Sequence, residues 1–228
     1  TPIKDLRLIM HSDASFLNAA KNGTQAGYII AFTDGSMFDG AIAPCSLASW
    51  RSYWLKRVVG STLAGETQAM SDGVGHLEWM QCHVCDALYE DFDIRSRAQW
   101  LLRHPALAVT DCKSLYDHLT GASSPSTVGD RRVAVDLVII REGLRRTSTT
   151  VRWAPTDRQL ADVLTKDSSD PSDLIRGIIK TGEYQISEET FVLERMQAER
   201  EHRKALGAQR KAEHEARSAQ SQSASPAA

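Results

Sequence analysis

The sequence predicts an α/β fold: a five-stranded mixed sheet flanked by helices, with a charged helical tail at the C-terminal end. Three observations predict it. Three β-prone apolar runs follow one another closely near the start. After them, helical and strand-like segments alternate. Single carboxylates, Asp13, Glu66, Asp111 and Asp162, stand at the ends of apolar runs or inside helix starts.

The elements follow in order. Leu6 to Ser12 is apolar and ends at Asp13; Ala26 to Thr33 is a second strand, followed by the turn pair Asp34-Gly35; Ala41 to Trp50 reads as a third. Their short connections favour an antiparallel meander. A helix opens near Gly60-Ser61-Thr62, with Leu63, Met70, Val74, Leu77, Val84 and Leu88 on one face and Glu66 at its border. Gly73 and Gly75 weaken it locally. Tyr89 to Pro105 is irregular or a short helix, and Leu107 to Thr110 is a short buried strand that ends at Asp111. A helix over Lys113 to Leu119, a Gly/Ser/Pro loop over Thr120 to Gly129 and a long helix over Val133 to Leu144 come next. Thr149 to Trp153 is the fifth strand, Pro155 breaks it, and Asp157 to Thr165 forms a helix that carries Asp162. The carboxyl ends of the strands bearing Asp13 and Asp111 become neighbours, where sites in such sheets gather.

Beyond this, Asp170-Pro171-Ser172-Asp173 is a helix start, and Gly182 is the stop of that helix. From Glu188 to Arg217 acids and bases alternate without a sustained apolar stripe, and Ser218 to Ala228 is low-complexity. The expected division is therefore a domain over 1–166, a helical extension over 167–187, and a charged helical to disordered tail over 188–228.

Bulk properties narrow the class. The chain has 228 residues, 42% hydrophobic and 25% charged, as an ordinary soluble protein would. It has no apolar run of about 18 residues, so no membrane span is expected. The opening Thr1-Pro2-Ile3 has neither Met nor a signal segment and reads as a domain cut from a longer, intracellular chain, cytoplasmic or nuclear. The net charge of −2 says nothing for nucleic acid, but Arg131, Arg132, Arg141, Arg145, Arg146, Arg152 and Arg158 fall in one stretch that can bind phosphates. Cys82-His83-Val84-Cys85 has the form of a zinc half-site, but no second ligand pair accompanies it, and its position in a helical pattern favours buried thiols.

Four acidic side chains brought together need a cation, because like charges at close range cannot all stay ionised. Hard divalent ions take carboxylate oxygens, and a pair of them can clamp a phosphodiester during in-line displacement. The order Asp, Glu, Asp, Asp thus points to a metal-dependent nuclease. In this order the windows resemble the ribonuclease H domain of copia-type retrotransposon polyproteins. Ser12-Asp13-Ala14, Trp50-Arg51-Ser52, Ser61 to Ala69 and Thr110-Asp111-Cys112-Lys113-Ser114 each match a family segment. Trp153 to Lys166, ending in Gln159-Leu160-Ala161-Asp162-Val163-Leu164-Thr165-Lys166, is the most specific match. The resemblance covers about residues 6 to 182. It departs at Ser15-Phe16, where the family has Trp, at the insertion Tyr53 to Val59, and at Gln68-Ala69, where a second acid is replaced.

The resemblance implies a ribonuclease H-like fold and hydrolysis of the RNA strand of RNA–DNA hybrids with two Mg²⁺ ions, Mn²⁺ substituting. Asp13 would bridge the ions, Asp162 would complete the one holding the attacking water, and Glu66 and Asp111 the one at the leaving oxygen. Lys56, Arg57, Arg131 and Arg132 are candidates for phosphate contacts, and a reverse transcriptase portion of a parent polyprotein is an implied partner. Two other readings are a catalytically silent binding module of the same fold and an integrase-like nuclease. No Gly-x-Ser-x-Gly elbow or matched Ser-His-Asp set supports a nucleophile among Ser12, Ser15, Ser61 and His11.

Overall fold

The computed structural model describes residues 5–19, 23–121, 128–166 and 170–186, with the single positions 194 and 198. The expected tail over 188–228 otherwise lies outside the described residues, as does most of the loop expected after Thr120. The chain divides into a compact unit over Thr1–Ser187 and a second over Glu188–Ala228. The sheets and helices with assigned bounds all belong to the first unit.

Its strands are β1 (Arg7–Ala19), β2 (Gly23–Thr33), β3 (Ala43–Pro44), β4 (Ser46–Trp54), β5 (Ala106–Thr110), β6 (Thr149–Trp153) and β7 (Glu183–Tyr184). Its helices are α1 (Thr62–Leu88), α2 (Arg97–Leu101), α3 (Lys113–Thr120), α4 (Arg131–Arg146) and α5 (Asp170–Thr181). Five strands form one sheet in the order β4-β2-β1-β5-β6. β1, β2 and β4 are antiparallel, whereas β5 runs parallel to β1, and β6 parallel to β5. The meander and the later alternation of helix and strand account for this mixed sheet.

Alternation along the strands sends side chains to two cores. Leu8, Met10, Tyr28, Ile30, Ala106 and Ala108 meet α1, α3 and α4 on one face, through Met70, Val74, Leu77, Leu115, Leu137 and Ile140. Ile9, Ile29, Leu107 and Val109 meet Leu160, Ile178 of α5, Tyr184 and Ile186 on the other. Each fully buried Leu, Ile or Met contributes roughly 1.5–3 kcal/mol.

Local chemistry sets the ends. Ser61 caps α1 by accepting from the Ala64 amide at 3.2 Å. Gly73 does more than weaken α1: a Cβ there would lie 2.9 Å from Met10 Sδ, so the glycine lets the helix close on the sheet. Gly182, at φ +71°, ends α5 as expected and donates to Ile178 O at 2.7 Å. Cys82 and Cys85 are buried against Trp100 and Leu101, and all four cysteines are free. No helix among the described residues is long and apolar enough to cross a membrane.

Three expectations are corrected. Asp13 does not end its strand; pairing with β2 carries β1 on to Ala19. The third run is split: Ala43–Pro44 leaves the main sheet to pair with β7, and the sheet strand begins at Ser46 and continues to Trp54, into the segment read as an insertion. Asp157 to Thr165 is not an α-helix but two 3-10 pieces, Thr156–Arg158 and Leu160–Leu164, broken at Gln159. The break follows from the Gln159 side chain, which is buried and bonds His11, the Ser12 carbonyl and the Ala161 amide.

Candidate active site

The parallel register explains how two distant aspartates meet. His11 of β1 is level with Val109 of β5, so two residues on, Asp13 is level with Asp111, just where β5 has ended. The 3-10 segment Leu160–Leu164 lies over β2 and brings Asp162 to the same place. That segment can sit so low because β2 has Gly27 beneath it: a Cβ there would lie 2.7 Å from Leu164 Cβ. Asp13, Asp111 and Asp162 each present a carboxylate oxygen within 4.8 Å of the others. Glu66, on the second turn of α1, is not in that tight group, but it borders the cluster, accepts a bond from the Ala14 backbone and feels the charges of Asp13 and Asp111.

Asp13, Glu66 and Asp162 are buried, at 2%, 4% and 3% exposure, which is rare for carboxylates. Burial is the main cause that raises all three, and neighbouring carboxylates add to it. Glu66 is held well above the usual range by burial and by the charges of Asp13 and Asp111. Burial lifts Asp162 to about 7 against the pull of Lys166, with Asp13 adding to the rise. Burial likewise raises Asp13, opposed by the Thr165 hydroxyl and the Lys166 charge. Glu66 Oε2 and Asp162 Oδ1 have no hydrogen-bond partner among the described residues. Unpartnered buried oxygens in an all-carboxylate set suit a hard divalent cation, which would neutralise the cluster and fill the free lone pairs.

The residues around the carboxylates carry their own contacts. Thr165 donates its hydroxyl to Asp13, and Lys166 Nζ pairs with Asp162 Oδ2 at 2.6 Å. Thr156 donates to Asp111 Oδ2 at 2.9 Å, and Trp153 Nε1 to the Asp111 carbonyl at 2.9 Å. Thr156, Thr165 and Lys166 were in plain view inside the Trp153–Lys166 segment, but nothing in the spacing gave them roles. His11 is fully buried beside the Gln159 amide and edge-on to Tyr184; burial lowers it to about 4, so it is a neutral structural group.

Three of the four basic candidates, Lys56, Arg57 and Arg132, line two adjoining cavities. Arg57 pairs with Asp136 of α4 and shares a cavity of about 240 Å³ with Arg132; Lys56 and Arg57 line a neighbouring one of about 500 Å³, with Arg51, Tyr53 and Trp54. Arg131 is exposed at the start of α4. The other arginines of the expected basic stretch do not form one surface. Arg146 bonds Glu78, Arg145 bonds Glu142, Arg141 donates to the His118 and Gly121 carbonyls, and Arg152 to the Phe38 carbonyl.

No model of a protein family matches the chain. No curated protein matches it either. Among solved structures it is similar to ribonuclease H1 from Halobacterium salinarum, at 15% identity and a TM-score of 0.45, over 70% of this chain and 94% of that one. It is similar to a ribonuclease H1 isolated from compost, at 14% identity and a TM-score of 0.47, over 73% and 97%. It is also similar to a foamy viral protease-reverse transcriptase whose structure holds an RNA/DNA hybrid, at 14% and 0.38, over 72% of this chain and 20% of that one. Values this low transfer no chemistry. The arrangement itself, with β1 central, an antiparallel meander on one side and two parallel strands on the other, is the ribonuclease H-like fold.

Proposed function

We propose that the chain is a metal-dependent ribonuclease H that hydrolyses the RNA strand of RNA–DNA hybrids, in the context of a copia-type polyprotein with a reverse transcriptase. The observation that carries this reading is the convergence of Asp13, Asp111 and Asp162 within 4.8 Å, with Glu66 at the border, from a strand, the end of another strand, a 3-10 segment and a helix. Asp13, Asp111 and Asp162, with Glu66, would hold Mg²⁺ or Mn²⁺. Bound there, two such ions supply an activated water and a charge clamp on the phosphodiester.

The chain's own residues do the rest. Thr165 fixes the Asp13 carboxylate, and Thr156 fixes that of Asp111, so two of the oxygens are oriented before anything binds. Lys56, Arg57, Arg131 and Arg132 lie on the β4–α1 connection and the start of α4, as phosphate contacts that place a duplex without reading its bases. Discrimination of RNA would come from 2′-hydroxyls in the shallow minor groove. The copia context rests on the segment Trp153 to Lys166.

The test is cleavage of an end-labelled RNA–DNA hybrid with Mg²⁺, Mn²⁺ or EDTA, by the parent and Asp111→Asn. Metal-dependent cuts in the RNA strand, reduced at least ~10²-fold in the variant, are expected. Equal cleavage by both proteins would remove the assignment, and salt-sensitive hybrid binding without cleavage would favour a silent binding module.

A further inference from the structure

Lys166 is the basic residue built into the carboxylate cluster. Its Nζ lies 2.6 Å from Asp162 Oδ2, and its charge also acts on Asp13 and Glu66. The backbone fixes this meeting, because the Lys166 amide donates to the Asp162 carbonyl at 2.9 Å and closes a turn that sets both side chains on one side. The two partners differ in freedom. The Asp162 side chain is 4% exposed, whereas that of Lys166 is 33% exposed and sits on a flexible four-carbon stem. Its neighbour Thr165, by contrast, is buried and held on Asp13.

An ammonium on Asp162 Oδ2 and a divalent ion on the unpartnered Oδ1 of the same carboxylate are like charges held a few bonds apart, and they repel each other. Without either cation, buried like charges would force the cluster apart or neutralise it. We propose that Lys166 is an internal counter-cation that exchanges with the divalent ion: it holds the carboxylates together while the site is metal-free, and swings out to solvent when metal enters. This rests on the reading of the cluster as a metal site. Lys166 is a positioning residue in this scheme, since it acts through Asp162. Binding of ammonium and metal is negatively coupled, and such coupling is reciprocal.

The experiment is a calorimetric or electron-spin-resonance titration of the full chain with Mn²⁺, together with thermal melts in EDTA and in Mn²⁺. The proteins are the parent, Lys166→Met, Lys166→Gln and Lys166→Arg. Lys166→Met is expected to melt lower in EDTA, to bind Mn²⁺ roughly fivefold or more tightly than the parent, and to gain more melting temperature from Mn²⁺. Lys166→Arg, which keeps the charge, stays within about twofold of the parent. If Lys166→Met does not fold without metal, Lys166→Gln carries the test, because its amide keeps a donor for Asp162 while losing the charge. Mn²⁺ binding that is equal or weaker in the charge-free variants overturns the exchange. A parent that binds no divalent ion overturns instead the metal-site reading, so the two failures are distinct.

Discussion

Alanine at Gly27 should disable the site without touching a carboxylate. Gly27 is paired with Asp13 on one side and Ser52 on the other, and its missing side chain leaves the space into which Leu164 packs. A Cβ would lie 2.7 Å from Leu164 Cβ, 3.2 Å from Leu164 Cδ1 and 3.3 Å from the Arg51 carbonyl. Two of those atoms, the Leu164 Cβ and the Arg51 carbonyl, are not the ends of flexible chains, so the 3-10 segment must lift. Overpacking of this kind costs about 1–3 kcal/mol. For a unit of this size each kcal/mol is about 2–4 °C, so the melting temperature should fall by roughly 2–12 °C. The lifted segment carries Asp162, with Thr165 and Lys166 just behind it. A displacement near 1 Å can cost on the order of 10²-fold in rate. The control is Gly75→Ala, in the same protein but on the open face of α1, where a Cβ meets nothing. It should stabilise by roughly 0.5–1 kcal/mol and leave cleavage unchanged. Scanning calorimetry and hybrid cleavage measure both effects. A Gly27→Ala protein that melts within a degree of the parent and cuts at the same rate would refute the packing argument.

Two further predictions concern charge. Asp13, Glu66 and Asp162 have raised values in the folded protein, so the stability they contribute is full below their ordinary range near 4 and is lost as pH climbs, for Asp162 through about 7. Divalent ions bind the ionised forms, so the gap between melting temperatures with saturating Mg²⁺ and with EDTA should widen from about pH 5 to about pH 7.5; a constant gap would contradict the raised values. Glu78 behaves oppositely: burial alone would raise it, but Arg146 and Arg97 hold it below the usual carboxylate range, so its contribution is present above that range and is lost on acidification. Glu78→Gln should lower stability by about 0.5–1.5 kcal/mol near pH 7, discounted for the exposed arginines, and by less near pH 3, measured by urea unfolding.

What was legible in the sequence was whatever rests on local pattern. Thr149–Trp153 is a strand at the expected bounds because alternation and Pro155 both mark it, and the face of α1 with Met70, Val74 and Leu77 is buried as its spacing requires. What was hidden depends on partners far along the chain. The extension of β1 past Asp13 is dictated by pairing with β2, and the departure of Ala43–Pro44 by β7, about 140 residues later. Gln159 interrupts the expected helix because His11 and Ser12 bind its side chain, which no local propensity reports. The site shows the same division. The four carboxylates stand out by type and order, whereas the supporting contacts of Thr156, Thr165 and Lys166 exist only after folding. The neighbours of the arginines were hidden for a related reason, since helix α4 turns Arg141, Arg145 and Arg146 toward different partners.

The bond from Thr165 to Asp13 joins positions 152 residues apart. During synthesis the central strand therefore leaves the ribosome long before the segment that completes its carboxylate end, and the chain up to β6 lacks one aspartate of the cluster however well it folds. The three-aspartate cluster is complete only once the returning chain lies over Gly27, so a fragment that ends at β6 cannot hold it.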